Sequence, residues 1–232
     1  VRTALAASLN VPAVRTLVMV SPDAFFQQLR ALGLPLRESG GYFGYSLALG
    51  SSEVDLLHLT NAFRALANGG LACPVRWQLP SVMPARTPAA RPTAAAGDCT
   101  QVLDARAAFI VGDILADPLA RARTFGTDSV LTTRFWTAVK TGTSKDMRDN
   151  WAMGWSARYT VGVWVGNASG AAMHDVSGTS GAAPVWAAVM GFLHTREPSR
   201  LPRPPQGLVQ WPVRFGPAGG DGDSATASLP LE

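Results

Sequence analysis

Five consecutive residues, Lys140-Thr141-Gly142-Thr143-Ser144, carry the densest chemistry in the sequence. They follow the apolar run "RFWTAV", so a strand delivers a cation, a hydroxyl, a position without a side chain, and two more hydroxyls. A glycine in a strand lets a ligand lie directly against the backbone. A lysine adds a cation whose pKa burial can move. Hydroxyls suit a carboxylate, and a backbone N–H in such a place can bind an oxyanion. Together these parts fit recognition of a peptide C-terminus and stabilisation of an acyl-transfer transition state. The plain alternative is a strand end running into a turn. Average residue usage makes a chance K-T-G-T-[ST] rare, in roughly one of a few thousand chains of this length. The lysine is itself unusual: Lys+Arg is 20, and Lys140 and Lys145 are the only lysines among them.

The other chemically able residues read more simply. His58, His174 and His194 are far apart and share no ligand spacing, so core or surface roles are preferred to metal binding. Asp149-Asn150 reads as a turn before a strand at Trp151. Trp151, Trp155 and Trp164 fall at strand alternation and read as sheet packing. Arg148 is a weak candidate for a carboxylate subsite. Cys73 and Cys99 bracket a proline-rich stretch. A disulfide closing that loop is worth roughly 3 kcal/mol, and two unpaired cysteines are the equal alternative.

Positioning the lysine requires a sheet. "RFWTAVK", "WAMGWS" and "YTVGVWVGN" are aromatic and β-branched, and short polar turns join them, which predicts an antiparallel meander. Helices are predicted on both sides of it. "SPDAFFQQLRALG" has Ser21 as cap, Pro22 at the first helical position and Gly33 as terminator. "SSEVDLLHLTNAFRALANGG" is predicted to start at Ser52 and stop at Gly69-Gly70. Asp104 opens a third helix, "DARAAFIVGDILAD", and "APVWAAVMGFLHTR" is the fourth. Helices flanking an antiparallel sheet make an α+β layered domain. The stretch from Cys73 to Cys99 reads as a loop-rich insertion with one strand near "VRWQL". Residues 198–232 read as a Pro/Gly-rich tail, largely extended, and disordered from about Gly216 on compositional grounds.

Composition excludes several classes. An apolar fraction of 47% and a charged fraction of 16% fit a folded core in a chain of 232 residues. The net charge of +4 comes mainly from scattered arginines, with no basic run interleaved with aromatics, so no nucleic-acid partner is expected. The longest apolar stretch, "APVWAAVMGFL", is about half of the roughly 20 residues needed to span a bilayer. No cofactor or metal motif is present.

Lys140-Thr141-Gly142 resembles the K-T-G element of the serine acyl-transferases that include penicillin-binding proteins and class A β-lactamases. Far upstream, Ser8-Leu9-Asn10 supplies the family's S-x-N in the family's order. Read locally, Asn10 is instead the cap of a helix entering at Val11-Pro12. "ALAASLNVPAVRTL", "LALGSSEVDLLHLTNAFRALANGG" and "KTGTSKDMRDNWAMGWSARYTVGVWVGN" resemble successive blocks of a class A penicillin-binding protein transpeptidase domain. "ILADPLARARTFG" and "RDNWAMGWSARYTVGVWVG" most resemble the 1C branch. The resemblance implies a penicillin-binding/β-lactamase-like layered fold. Residues 1–197 would be the C-terminal portion of that domain, with its N-terminal part missing.

The family's third element, S-x-x-K, departs from this pattern. Three residues before Lys140 is Thr137, and three before Lys145 is Gly142, so neither lysine completes it. The expectation is therefore a C-terminal part of a larger protein whose nucleophilic serine, membrane anchor and glycosyltransferase domain lie outside this chain. The implied parent cross-links peptidoglycan stem peptides by serine acyl transfer, on the periplasmic side of a bacterial inner membrane, and is acylated by β-lactam antibiotics. The resemblance implies that Ser8 helps relay a proton, Asn10 holds the substrate's amide side, and Lys140 supplies positive potential and orients Ser8. Thr141, Thr143 and the adjoining Gly142 and Ser144 would bind the terminal carboxylate, with the Thr143 N–H completing an oxyanion hole. A β-lactamase would need a deacylating Glu followed closely by Asn, and neither Glu38 nor Glu53 has one. The remaining alternative is a non-catalytic remnant or binding module that keeps the fold without turnover.

Overall fold

The computed structural model describes residues 1–76, 98–214 and 226–230. The three predicted strands form one antiparallel meander, β3 (Ala138–Thr143), β4 (Asp149–Trp155) and β5 (Thr160–Gly166), in that order across the sheet. Asp149 and Asn150 belong to β4 itself, not to a turn before it, because Asn150 pairs with both Thr143 and Val165. Shorter pairs precede and follow this sheet: β1 (Leu71–Ala72) with β2 (Thr100–Gln101), and β6 (Gln210–Arg214) with β7 (Thr226–Pro230). The tail therefore contains two paired strands, and β7 lies in the stretch beyond Gly216 where composition pointed to disorder. The strand expected near "VRWQL" falls largely outside the described residues.

Strand alternation assigns the two faces of the sheet. Val139, Ala152 and the partly buried Val161, Val163 and Val165 pack against α8 (Ala183–Leu193), where Trp186 and Met190 are fully buried. Ala138 and Trp155 face the other way, toward Leu115 of α6 (Ala105–Ala116), Phe63 of α5 (Leu56–Ala67) and Leu5 of α1 (Arg2–Ala6). The result is a helix–sheet–helix sandwich, the architecture expected from an antiparallel sheet with two apolar faces. A third cluster joins α2 (Asn10–Val20) to α3 (Pro22–Ala31) through Leu17, Phe26, Leu47 and Ala62. The short α4 (Gly40–Phe43) and a 3-10 turn at Gly44–Leu49 close it.

Capping explains most helix starts. Ser21 accepts from the Ala24 N–H, Asp104 from Arg106, and Asp117 from Leu119 and Ala120 at the start of α7 (Pro118–Phe125). The helix expected from Ser52 begins later, at Leu56, because Asp55 caps it by accepting from the His58 N–H. Cys73 and Cys99 are joined as a disulfide, which ties the ends of the proline-rich stretch beside β1 and β2.

A buried polar contact fastens α8 to the β4–β5 turn. His194, at the end of α8, donates from Nδ1 to the Glu197 carbonyl at 2.6 Å and receives the Ser156 hydroxyl at Nε2, 2.8 Å away. Both side chains are buried. Ser156 also accepts from the Arg158 and Tyr159 N–H groups, so it holds the turn as well as the histidine. Burial, with the nearby Arg158 guanidinium, lowers the His194 pKa, so the neutral ring is the folded form. A depressed folded pKa makes this contribution complete above the ordinary value near 6.5, and it is lost as pH falls through the folded value. Replacing His194 with Ala should cost about 2–3 kcal/mol, from two hydrogen bonds and a stranded Ser156 hydroxyl. His194→Gln should flatten the fall in Tm between about pH 7.5 and pH 5.5. Equal slopes for the two proteins in thermal melts would refute the assignment.

Candidate functional site

Ser8 lies at the junction of α1 and α2 in the left-handed region, with φ of 58°, a conformation that L residues other than Gly adopt rarely. Contacts on both sides hold this junction. The Ser8 N–H bonds the Leu5 carbonyl, and the Leu9 N–H bonds the Ala4 carbonyl. The Ala7 carbonyl accepts from the Thr124 hydroxyl of α7 at 2.7 Å, and Ala7 itself is fully buried. At the start of α1, Arg2 pairs with Asp113 of α6 and Asp117 ahead of α7. The left-handed backbone at Ser8 is thus that of a local helix end, in which the Ser8 and Leu9 N–H bonds close α1, and the contacts from α6 and α7 hold that end in place.

Lys140 comes to this junction from the middle of β3. Alternation puts Lys140 and Gly142 on the sheet face that carries α1 and α6, and puts Val139, Thr141 and Thr143 on the α8 face. The Lys140 Nζ donates to the Ser8 Oγ at 2.6 Å and to the Thr141 carbonyl at 2.6 Å. These groups are 132 residues apart in sequence. Burial lowers the Lys140 pKa to about 8. No carboxylate pairs with Lys140 among the described residues. The result is an ammonium held close to neutrality, with its charge available to an anion. While Lys140 is charged it only donates, so the Ser8 oxygen accepts and the Ser8 proton is left to point elsewhere.

An open cleft of about 410 Å³ adjoins these groups, lined by Ala7 to Pro12 and Thr124. Asn10 is exposed on this rim. Although α2 begins at Asn10, its cap residue is Leu9 and no side chain makes a capping bond, so the local reading of Asn10 as a helix cap does not hold. At the end of β3, Thr143 is exposed and its Oγ1 accepts from the Gly178 N–H at 2.9 Å. The Ser144 N–H bonds the Asp149 carbonyl across to β4. The Thr143 N–H, one residue earlier, is therefore turned toward the unpaired edge of β3. A Cβ on Gly142 would meet Trp151 at 3.6 Å, an ordinary contact, so packing alone does not demand glycine there.

The structure therefore brings Lys140 into contact with Ser8 beside a cleft that Ser8 and Asn10 line, and places Gly142 and Thr143 further along the same strand. The Thr141 and Thr143 side chains both lie on the opposite sheet face, Thr143 against Gly178, and the Thr141 carbonyl is what reaches Lys140. The Ser144 hydroxyl closes the β3–β4 turn by accepting from the Asp149 N–H at 2.9 Å. Arg148 is exposed and pairs with Asp146 at 3.7 Å. Trp151 and Trp164 pack on each other, with ring centres 6.3 Å apart, and Trp155 packs on Phe63. Two supporting residues had no readable sequence signal of their own. Thr124 acts only through its bond to Ala7, and Gly178 through its approach to β3.

No family model matches the chain. It is 34% identical over 230 residues to penicillin-binding protein 1C of Escherichia coli K12, an alignment covering 95% of this chain and 27% of that protein. Penicillin-binding protein 1A of Clostridium botulinum is 27% identical over 216 residues, covering 90% of this chain and 25% of that protein. The chain thus spans about a quarter of the length of these curated relatives. Among solved structures, penicillin-binding protein 1A from Haemophilus influenzae superposes with a TM-score of 0.72 at 19% identity, over 96% of this chain and 39% of that one. That likeness establishes the layered fold.

The geometry at Lys140 has a direct spectroscopic consequence. With only two lysines in the chain, the Lys140 side-chain signal can be assigned by one substitution, Lys145→Arg. Its titration should be centred near 8, as burial requires. A Lys140 midpoint at the ordinary value near 10.4 would show that the ammonium is not buried as described.

Proposed function

We propose that this chain, a homologue of penicillin-binding proteins 1C and 1A, is the substrate-binding part of a peptidoglycan D,D-transpeptidase. The observation that carries the reading is the Lys140 Nζ to Ser8 Oγ contact of 2.6 Å. Two short motifs far apart in sequence meet at hydrogen-bond distance, in a cleft with an unpaired strand edge. In the proposed reaction a serine from outside these 232 residues attacks the carbonyl of a D-Ala-D-Ala amide. The resulting oxyanion takes the Thr143 N–H that faces the strand edge. The C–N bond then breaks, the departing D-Ala amine takes a proton, and an acyl-enzyme remains. An amine from a neighbouring stem peptide attacks the acyl-enzyme and completes the cross-link. β-Lactams would acylate the same serine.

The chain's own groups have defined parts in this scheme. Lys140, donating to Ser8, turns the Ser8 proton into the cleft and makes it a better donor to the leaving amine. Its charge also attracts the substrate's terminal carboxylate. Asn10, free of capping duty, can offer both amide donor and acceptor to the peptide. Thr143 and Ser144, with Gly142 providing clearance, form the carboxylate end of the site, and the Thr141 carbonyl fixes the ammonium. The rest of the parent would cover the apolar surface exposed at Met19 of α2 and Phe192 of α8, and would hold the protein on the periplasmic side of the membrane. The non-catalytic alternative has one specific support, the lack of any serine three residues before a lysine in this chain.

Penicillin labelling separates the two readings. The intact protein should be labelled, and Lys140→Ala or Ser8→Ala should slow its acylation by about 10²–10⁴-fold, the range for a positioned proton-transfer group. The 232-residue chain alone should take no label. Undiminished acylation in Lys140→Ala, or covalent label on this chain alone, would overturn the assignment.

A further inference from the structure

A second cavity, of about 200 Å³, lies among α5, α6 and the end of the sheet. Ala105, Ala108 and Gly112 recur on one face of α6 at helical spacing, and their small size leaves the space open. Trp136, just ahead of β3, and Trp155, at the end of β4, form another wall. Residues 201–205 border the solvent side, where Leu201 is exposed. That segment is held on both flanks. The Ser199 Oγ accepts from the Ala157 N–H at 2.9 Å, and a Cβ on Gly207 would meet the Arg106 side chain of α6 at 3.5 Å.

Trp155 is 3% exposed, and its ring packs edge-on against Phe63. Its Nε1–H nevertheless has no acceptor among the described residues, and it is not sealed in: the unpaired side-chain polar atoms that are fully enclosed belong to Asn61, Asn150 and Trp186. A Cβ on Gly112, a residue of the cavity wall, would lie 3.2 Å from the Trp155 ring and 3.9 Å from Nε1. The N–H edge of the ring therefore borders the cavity. Buried donors in folded proteins are nearly always paired, so an open N–H in an otherwise buried side chain marks a place where an acceptor belongs. The volume exceeds the about 150 Å³ of an apolar cavity that admits benzene. It falls short of the about 300 Å³ at which pockets for drug-sized molecules begin. The space thus suits one or two rings. Of the charged residues on the wall, Asp113 is paired with Arg2 and Arg203 is exposed, so the occupant needs no charge of its own.

We propose that this cavity is a binding site for a small neutral aromatic molecule whose acceptor atom takes the Trp155 Nε1–H. A second polypeptide is the poorer occupant, because residues 201–205 would have to leave their two anchor points to admit one. Neither Lys140 nor Ser8 lines this cavity, so the site stands or falls independently of the transpeptidase reading.

The test uses the full-length protein with 15N-labelled tryptophan and two probes. Acetophenone carries a carbonyl acceptor, and α-methylstyrene has the same shape with a CH2 in its place. Acetophenone should move one indole N–H signal downfield saturably, and α-methylstyrene should not. Trp155→Phe should remove that signal and weaken acetophenone about fivefold, the worth of one neutral hydrogen bond, with α-methylstyrene changed by less than about twofold. Ala108→Leu, which fills the space and keeps the N–H, should abolish saturable binding of both probes. The absence of saturable acetophenone binding, binding that survives Ala108→Leu, or equal weakening of both probes in Trp155→Phe would each overturn the proposal. Where a variant fails to fold, the contrast between the two probes in the parent spectrum still decides, and its absence overturns the site.

Discussion

The contact between the Lys140 ammonium and the Ser8 hydroxyl organises the molecule around it. A buried cation without a carboxylate partner is unfavourable, and its lowered pKa expresses that cost. Donation to the Ser8 hydroxyl and the Thr141 carbonyl offsets part of it, since each hydrogen bond to a charged group contributes about 1.5–3 kcal/mol. The chain could have stabilised Lys140 more simply with an aspartate. Its neutral partners keep the charge available. They also keep the ammonium within reach of deprotonation near neutral pH, which an arginine in that place would forbid.

The rest of the fold sets the distance between those two groups. Lys140 is fixed by a sheet packed on both faces, with Trp186 and Met190 fully buried under one face and Trp155 and Leu115 closing the other. Ser8 is fixed by the α1–α2 junction, where two local bonds end α1 with Ser8 in the left-handed region, and the Arg2 ion pairs and the Thr124 bond to Ala7 place that helix end. The shape of the junction is local, and its position is set by α6 and α7 from more than a hundred residues away.

The sequence was informative wherever the signal was local. Ser21, Asp104 and the alternation of β5 mark elements whose determinants lie within a few residues, and the structure places those elements where they were expected. The start of α5 was misjudged because Ser52 and Asp55 are both plausible caps; the structure has Asp55 making the bond. Lys140, Ser8 and Asn10 could be singled out because their types and order are distinctive, and the structure puts Lys140 on Ser8 beside a cleft that Asn10 lines. The Thr124 support and the Gly178 approach could not be read. Each depends on a contact between segments distant in sequence. A lone threonine or glycine carries no pattern until the partner strand is in place. The opposite fates of Thr141 and Ser144 are similar. Strand alternation turns one side chain to the far face and the turn occupies the other, and both facts need the register of β3 on β4.

The site residues divide by how much each depends on the others. In the proposed function, charge and proton relay, at Lys140 and Ser8, would sit where α1, α2 and β3 meet. Carboxylate recognition, at Gly142 and Thr143, would sit where β3 ends against the turn that begins α8. The two halves share only the strand, and its edge is unpaired along this length among the described residues. A peptide laid along that edge would touch both halves at once, with its backbone on the strand, its terminal carboxylate at Thr143 and its reacting amide nearer Ser8. An extended ligand adding to an exposed edge gains affinity from main-chain hydrogen bonds and specificity from the groups beside them. In the proposed function the unpaired edge of β3 would be part of the recognition surface, with the sandwich behind it spacing the two halves.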